Sequence, residues 1–325
     1  MSEFLFLTQD NHDASFNLAS EEYLLKQKGG YYIYLWRNAP SVIIGVNQNA
    51  LAEVNLGFTE QNKIKVVRRL TGGGAVYHDL QNINYTVIAP YDEKVDNYKK
   101  FTKPIIEYLN KLGVQAEFSG RNDITVDGKK ISGNAQTIWN GKIMHHGTLL
   151  YRTDMSKLSG ALKPNKLKIE SKGIKSVRAR VANIYDLLPN KLSVDEFLLG
   201  LCSFFKRDCE EYTLNREDIS KIQSLVREKY GTYEWNIGRS PIGKNTIEDR
   251  FSFGTLQINF DTKDGLIENV QISGDFFSRQ DIKGLENQLD GVKFLHTDIK
   301  NALRDISKFI VGAEATEIAN MFFRD

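Results

Sequence analysis

The run Arg68-Arg69-Leu70-Thr71-Gly72-Gly73-Gly74-Ala75-Val76-Tyr77-His78-Asp79 concentrates more chemistry-bearing residues than any other stretch of the chain. Three glycines after a strand let successive N–H groups converge on one concavity that suits an anion. An arginine at the mouth offers a planar fork matched to phosphate oxygens. The run lacks the Gly-Lys-Ser/Thr ending of a Walker A loop, and no Gly-x-Gly-x-x-Gly precedes a helix. Taken alone, it also reads as a flexible strand connection with solvated arginines.

Lys129-Lys130-Ile131-Ser132-Gly133-Asn134 offers a second group. Strand alternation places Lys130, Ser132 and Asn134 on one face and Ile131 on the other. A lysine at a strand start after a tight hairpin can bridge a carboxylate and a phosphate, although a hairpin lysine in water is the plainer reading. In His145-His146 the two imidazoles must face opposite sides of a strand, so they cannot chelate one metal. One is expected to face a site near Gly147-Thr148 and the other to pack or to be solvated. In Arg121-Asn122-Asp123, Asp123 could hold Mg²⁺ or orient an amine, and equally could be a turn residue. Between Lys157 and Arg180, six Lys and two Arg stand against one Glu, a local +7. Such a run is a solvated face or a cationic lid suited to polyphosphate or an acidic protein.

The elements that must carry these groups follow from periodicity and turn chemistry. FLFL reads as a strand and residues 13–27 as a helix with Phe16, Ala19, Tyr23 and Leu24 on its stripe, Ser15 as cap, and Glu21 and Glu22 exposed or site-facing. YYIYLWRN, SVIIGVNQN, KIKVVRR and INYTVIAP read as strands, and residues 98–112 as a helix that starts late or kinks at Pro104. Asp127-Gly128 and Asn140-Gly141 predict two type I′ hairpins, hence a three-strand meander over about 123–152. Residues 156–180 read as irregular, with helices near 193–209 and 215–230. Periodicity lapses over 240–250, a linker dividing the chain into 1–243 and 250–325. Beyond it come one hairpin and a helix through NALRDISKFI. Hairpins with flanking helices make the class α+β.

The chain has 325 residues, 41% hydrophobic and 26% charged, the balance of a protein with a full core and not of a disordered one. Formal charge is +2, which gives no global pull toward nucleic acid or membrane. No apolar run approaches a membrane span, and the opening MSEFLFLTQDNHDAS turns polar after seven residues, so the cytoplasm is the expected compartment. Cys202 and Cys209, spaced to share a helix face two turns apart, read as two reduced thiols.

In combination the motifs resemble the lipoate–protein ligase family of the A type, in its long form with a C-terminal accessory domain. The likeness runs through Asn17-Leu18-Ala19-Ser20-Glu21-Glu22, Trp36 with Pro40, Val42-Ile43-Ile44-Gly45 and Gln48-Asn49. It continues through the Arg69–Asp79 loop, Arg121-Asn122-Asp123, Lys130-Ile131-Ser132-Gly133 and His145-His146-Gly147-Thr148-Leu149-Leu150. Ser171-Lys172-Gly173, Ser176-Val177, Arg180-Val181-Ala182-Asn183 and Gly274-Asp275-Phe276-Phe277 complete it.

The resemblance implies a biotin/lipoate ligase-like catalytic domain, akin to the class II aminoacyl-tRNA synthetase core, plus a small α+β C-terminal domain. It implies condensation of lipoate with ATP to lipoyl-AMP, then transfer to a lysine of apo lipoyl domains: 2-oxoacid dehydrogenase E2 subunits and the glycine cleavage H protein. ATP with Mg²⁺ and lipoate are then substrates; no tightly bound prosthetic group, nucleic acid or membrane is implied. Lys130 and Asp123 would be catalytic, with Asp123 a candidate for Mg²⁺. Arg69, Gly72, Gly73, Gly74, Ala75, Val76, Tyr77, His78 and Lys130 would contact ATP or the adenylate. Lys130, Trp36, Gly74 and His146 would contact lipoate, with Val42, Ile44, Val76 and Leu149 expected to line its apolar slot. Two relatives of the same fold are the alternatives: a transferase using a cysteine thioester, and a non-catalytic lipoate-binding regulator.

Overall fold

The structure, a computed structural model, describes residues 4–163, 181–238, 245–263 and 265–323. An eight-stranded mixed sheet is built from β1 (Phe4–Thr8), β2 (Tyr31–Trp36), β6 (Asn82–Pro90), β7 (Glu117–Ser119), β8 (Asp123–Val126), β9 (Lys129–Trp139), β10 (Lys142–Leu150) and β11 (Glu210–Glu211). Its order is β11-β1-β2-β6-β10-β9-β8-β7. Only β11–β1 and β1–β2 are parallel; every other neighbour pair is antiparallel. A second sheet of β3 (Ser41–Ile44), β4 (Lys65–Arg68) and β5 (Val76–His78) has the order β4-β3-β5. Thus the two strands joined by Asn38-Ala39-Pro40 part company, β2 entering the large sheet and β3 the small one.

The central meander forms for a local reason. Asp127 and Gly128 have φ of 49° and 72°, Asn140 and Gly141 46° and 74°, the paired positive angles of a type I′ turn. Alternation along β6 and β10 then divides the sheet. One face, with Ile83, Tyr85, Val87 and Leu149, packs on helices Asn97–Lys111 and Val194–Lys206. The other, with Tyr34, Trp36, Ile88 and Met144, packs on helix α1 (Ala14–Lys26), the small sheet and helix Arg216–Leu225.

Several local expectations are corrected. Helix α1 is capped by Asp13, whose side chain accepts from the Phe16 N–H, while Ser15 lies inside and bonds the Tyr230 carbonyl. Glu21 and Glu22 are buried, because α1 is covered nearly all round instead of along one stripe. Helix Asn97–Lys111 starts on its Asp96 cap and carries Pro104 inside, so there is no late start. The irregular segment begins as a helix, Met155–Ala161, capped by Asp154. The rest of it, including Ser171-Lys172-Gly173, Ser176-Val177 and Arg180, lies outside the described residues; the described chain resumes at Val181, which bridges Lys130. Helix Val194–Lys206 ends before Cys209, so the two cysteines do not share it.

Residues 245–251 are a strand and not linker: β12 (Asn245–Phe251) pairs with β13 (Gly254–Lys263), which pairs with β14 (Leu266–Gly274). Helix His296–Ala302 stops before Leu303 and a 3₁₀ turn follows, so NALRDISKFI is not one helix, although Leu303, Ile306 and Ile310 are still buried. These elements share a hydrophobic core of their own, from Phe253 to Phe322. No helix among the described residues is long and apolar enough to cross a membrane.

Candidate functional site

A cavity lies between the helix α1 face of the large sheet and the small sheet. Its floor is a row of cross-strand neighbours. Trp36 pairs with Asn84, Asn84 pairs with Thr148, and the Gly133 N–H bonds the Thr148 hydroxyl. At about 4.8 Å per strand, this row runs roughly 14 Å across four strands. Gly133 and Lys130 stand at one end, and Trp36, with Leu18, Ile43, Val76 and His78 nearby, at the other. The roof is the loop between β4 and β5, contributing Arg69, Gly73, Gly74 and Ala75. One end is cationic, the other apolar.

Lys130 reaches this floor through an irregularity that alternation cannot reveal. In the β8–β9 ladder Asp123 opposes Gly133, Ile124 opposes Ser132, and Thr125 opposes Lys130, which leaves Ile131 as an extra, bulged residue. Lys130 therefore shares a face with Gly133 and Asp123, and not with Ser132 and Asn134. Its Nζ lies 2.8 Å from Asp123 Oδ1, each side chain about a third exposed (36% and 34%). Asp123 does not line the cavity; it holds the lysine that does. The chain returning at Ala182 donates to the Lys130 carbonyl at 2.9 Å.

The arginines differ most from expectation. Arg68 is fully buried and donates to the carbonyls of Gly45, Val46, Gln48, Trp235 and Asn236. Arg69, also buried, donates from Nε to Thr71 Oγ1, from Nη1 to the Ile43 carbonyl, and from Nη2 to the carbonyls of Gly72 and Gly74. It is not an open fork but the internal brace of the glycine loop. Burial lowers its pKa to about 10, opposed by nearby Glu21, so it stays charged at neutral pH. Gly73, at φ +90°, has the left-handed backbone that only glycine adopts freely.

Gly72 faces away from the cavity, onto the loop Phe276-Phe277 that follows β14, and the Gly73 N–H donates to the Phe276 carbonyl at 3.4 Å. The same loop meets Arg121, whose guanidinium lies over the Phe277 ring at 4.5 Å and donates to the Phe253 carbonyl. Tyr77 also points away, into the core with Val42 and Ile44, because Val76 and His78 take the cavity side of β5. The same parity removes Val42 and Ile44 from the slot in favour of Ile43, and Leu149 lies on the opposite face of the large sheet. Of the four slot residues expected, Val76 is in place.

His146 faces the cavity; its Nδ1 lies 2.9 Å from Glu21 Oε1 and its Nε2 2.8 Å from Thr71 Oγ1. His145 faces the core against Tyr85, Tyr98 and Phe101, where burial lowers its pKa to about 3. His78, in the cavity wall, is held neutral in the same way: burial first, then the Arg69 charge, take it to about 3. The Asn38 amide lies 3.1 Å from its Nδ1, so the proton sits on Nε2, a buried donor that no described residue accepts. Leu18, Ile43, Asn84 and Ala135 are lining residues to which the sequence reading gave no site role, although Leu18 and Ile43 lie within its motifs. Ile43 was one alternation step from the residues chosen.

Two family descriptions match the chain: the lipoyl protein ligase A/B catalytic domain over residues 13–206, and the bacterial lipoate protein ligase C-terminus over residues 240–322. A Bacillus subtilis lipoate–protein ligase, LplJ, is 44% identical over 312 residues, covering 93% of this chain and 94% of that protein. A Staphylococcus aureus lipoate–protein ligase 1 is 44% identical over 307 residues, covering 92% and 93%. Among solved structures, Plasmodium falciparum LipL1 in complex with lipoate superposes with a TM-score of 0.76 at 26% identity, over 97% of each chain. A lipoate–protein ligase A bound with ATP does so at 0.62 and 31%, covering 72% of this chain and 98% of that one.

Proposed function

The chain belongs to the lipoate–protein ligase family, and from that premise we propose that it activates lipoate with ATP and transfers the lipoyl group to a lysine of apo lipoyl domains. The observation that carries this reading is the polarity of the cavity. Lys130 stands at one end, an apolar slot closes the other, and the glycine loop roofs both.

In the first step a lipoate carboxylate oxygen attacks the α-phosphorus of ATP, the bond to the β-phosphate oxygen breaks, and pyrophosphate leaves with that electron pair. Two anions must be brought together, so positioning and charge neutralisation are the protein's main contribution. Lys130 neutralises both the carboxylate and the α-phosphate, and Asp123 aims it. Gly74, Ala75 and the Arg69-braced loop face the nucleotide. Tyr77 and Gly72, turned away, present no side chain to it. The aliphatic tail runs toward Trp36, Ile43 and Val76, gaining about 0.8 kcal/mol per buried methylene. His78, in the wall of that end, stays neutral and so adds no charge beside the dithiolane. In the second step the neutral ε-amine of the acceptor lysine attacks the lipoyl carbonyl carbon, AMP leaves, and the amine proton is lost to solvent.

Mg²⁺ would arrive with the nucleotide. Among the described residues no three His, Cys, Asp or Glu side chains gather to hold an ion, so phosphate oxygens would supply most of its ligands and Asp123 at most one. The acceptors we propose are E2 subunits and the glycine cleavage H protein. We place the reaction in the cytoplasm, where two cysteines that form no disulfide are at home. For the expected division into 1–243 and 250–325 we propose a boundary near residue 243, with β12 moving the start of the second unit from 250 back to Asn245.

Lipoate-dependent exchange of labelled pyrophosphate into ATP tests the reading, run beside octanoate and biotin. Exchange is expected with lipoate and is expected to fall at least 100-fold in Lys130→Ala. Binding of lipoate without exchange in the unaltered protein sinks it.

A further inference from the structure

Behind the cavity floor, a single chain of hydrogen bonds joins the apolar slot to the glycine loop. It begins at Trp36, whose Nε1–H donates to Thr86 Oγ1 at 2.9 Å. The Thr86 hydroxyl donates to Glu21 Oε1 at 2.6 Å. Glu21 also faces His146 Nδ1, at 2.9 and 3.1 Å from its two oxygens. His146 Nε2 lies 2.8 Å from Thr71 Oγ1, and Arg69 Nε donates to that same oxygen at 2.9 Å. Thr71 and Thr86 are fully buried and Glu21 is 2% exposed, so water does not supply missing partners.

The donor count fixes where each proton sits. Thr86 spends its one proton on Glu21 and accepts from Trp36. Glu21 as a carboxylate accepts from Thr86 and from His146, which places the imidazole proton on Nδ1. Nε2 is then a lone pair and accepts the Thr71 proton, leaving the oxygen of Thr71 to accept from Arg69. With the proton on Nε2, Thr71 would face two donors and its own buried hydroxyl proton would have no acceptor among the described residues. One arrangement satisfies every group, and Glu21 selects it.

We propose that Glu21 is a positioning residue for the adenylation step: by fixing the Nδ1–H tautomer of His146 it orients Thr71, and through Thr71 the Arg69 guanidinium that braces the glycine loop. Glu21 touches neither end of the cavity itself. It acts through three intermediates, His146, Thr71 and Arg69, on a loop whose carbonyls of Gly72 and Gly74 depend on Arg69. The kinetic part of the inference rests on the ligase reading; the tautomer does not.

Nitrogen-15 NMR of histidine-labelled protein, with His146 assigned from the spectrum of a His146→Gln variant, is the first test. His146 is expected as the Nδ1–H tautomer in the unaltered chain, and as a mixture or the other tautomer in Glu21→Gln. An Nε2–H tautomer in the unaltered chain overturns the proposal, whatever the variants do. Kinetics supply the second test. Glu21→Gln and Thr71→Val are each expected to lower pyrophosphate exchange about 10- to 100-fold. The KM for ATP should rise more than the Kd for lipoate, and the double variant should be no worse than the weaker single one, because both cut the same chain. Fully multiplicative losses, or equal effects on both ligands, overturn it. If the unaltered protein shows no lipoate-dependent exchange, the ligase reading fails while the NMR result still decides the tautomer.

Discussion

Gly133 carries no side chain because Lys130 lies across it: a Cβ there would sit 2.7 Å from the lysine Nζ and 2.8 Å from Cε. Those atoms are the mobile end of a long side chain, so Gly133→Ala should fold and instead push the ammonium off its mark. Exchange is expected to fall about 10-fold or more with Tm lowered by only a few degrees; unchanged exchange would show that Lys130 needs no such alignment. The buried imidazoles make a different prediction. His78 and His145 have folded pKa values near 3, against 6.5 for a free histidine. Below about pH 6.5 the unfolded chain takes up two protons that the folded chain refuses, so their effect is absent at higher pH and destabilising as pH falls toward 3. Each contributes at most about 1.4 kcal/mol per pH unit. Tm should drop between pH 7 and pH 5, and His145→Phe should make the drop shallower; an unaltered slope would refute the assignment.

At the scale of elements, the glycine loop is held from both sides, by Arg69 within and by the Phe276-Phe277 turn without. A Cβ on Gly72 would meet the Phe276 carbonyl oxygen at 2.4 Å and Phe277 Cα at 3.1 Å, backbone atoms that cannot step aside. Gly72→Ala should therefore loosen the contact between the loop and the C-terminal sheet. Amide exchange at Gly73 should rise about 10-fold or more while the central meander keeps its protection; uniform protection would rule this out. The contrast also marks what was legible. The two hairpins were written in Asp-Gly and Asn-Gly, which set the turn locally. The His145-His146 division followed from period two. The bulge at Ile131 was not readable, since an extra residue leaves no trace in composition and shifts Lys130 one step out of phase. Strand β12 was missed because NTIEDRF lacks a clean apolar alternation and owes its conformation to pairing with β13. The contact of Phe276 with the loop spans some two hundred residues, beyond any local pattern.

At the scale of the whole molecule, the arrangement of thiols separates reaction classes. Cys202 lies in the core behind the large sheet, where burial pushes its thiol pKa up, and neither cysteine lines the cavity. A thioester route would need a reachable, ionisable sulfur. The double variant Cys202→Ala, Cys209→Ala should keep exchange and transfer within about twofold of the unaltered chain, and loss of transfer alone would restore the cysteine mechanism. The near-neutral total charge also means less here than the local layout, with Lys130 at the cavity mouth and the Lys157–Arg180 excess beginning nearby in sequence. Arg69 adds a last consequence. Carbonyl oxygens occupy its donors without cancelling its charge, and the buried Glu21 carboxylate sits beyond Thr71 and His146, so the loop carries the positive end of a fixed charge pair in a medium where mobile ions cannot follow. Surface lysines lose their reach beyond about 8 Å in physiological salt. A cation walled inside the fold does not, and its pull on a polyanion is built into the architecture instead of borrowed from the buffer.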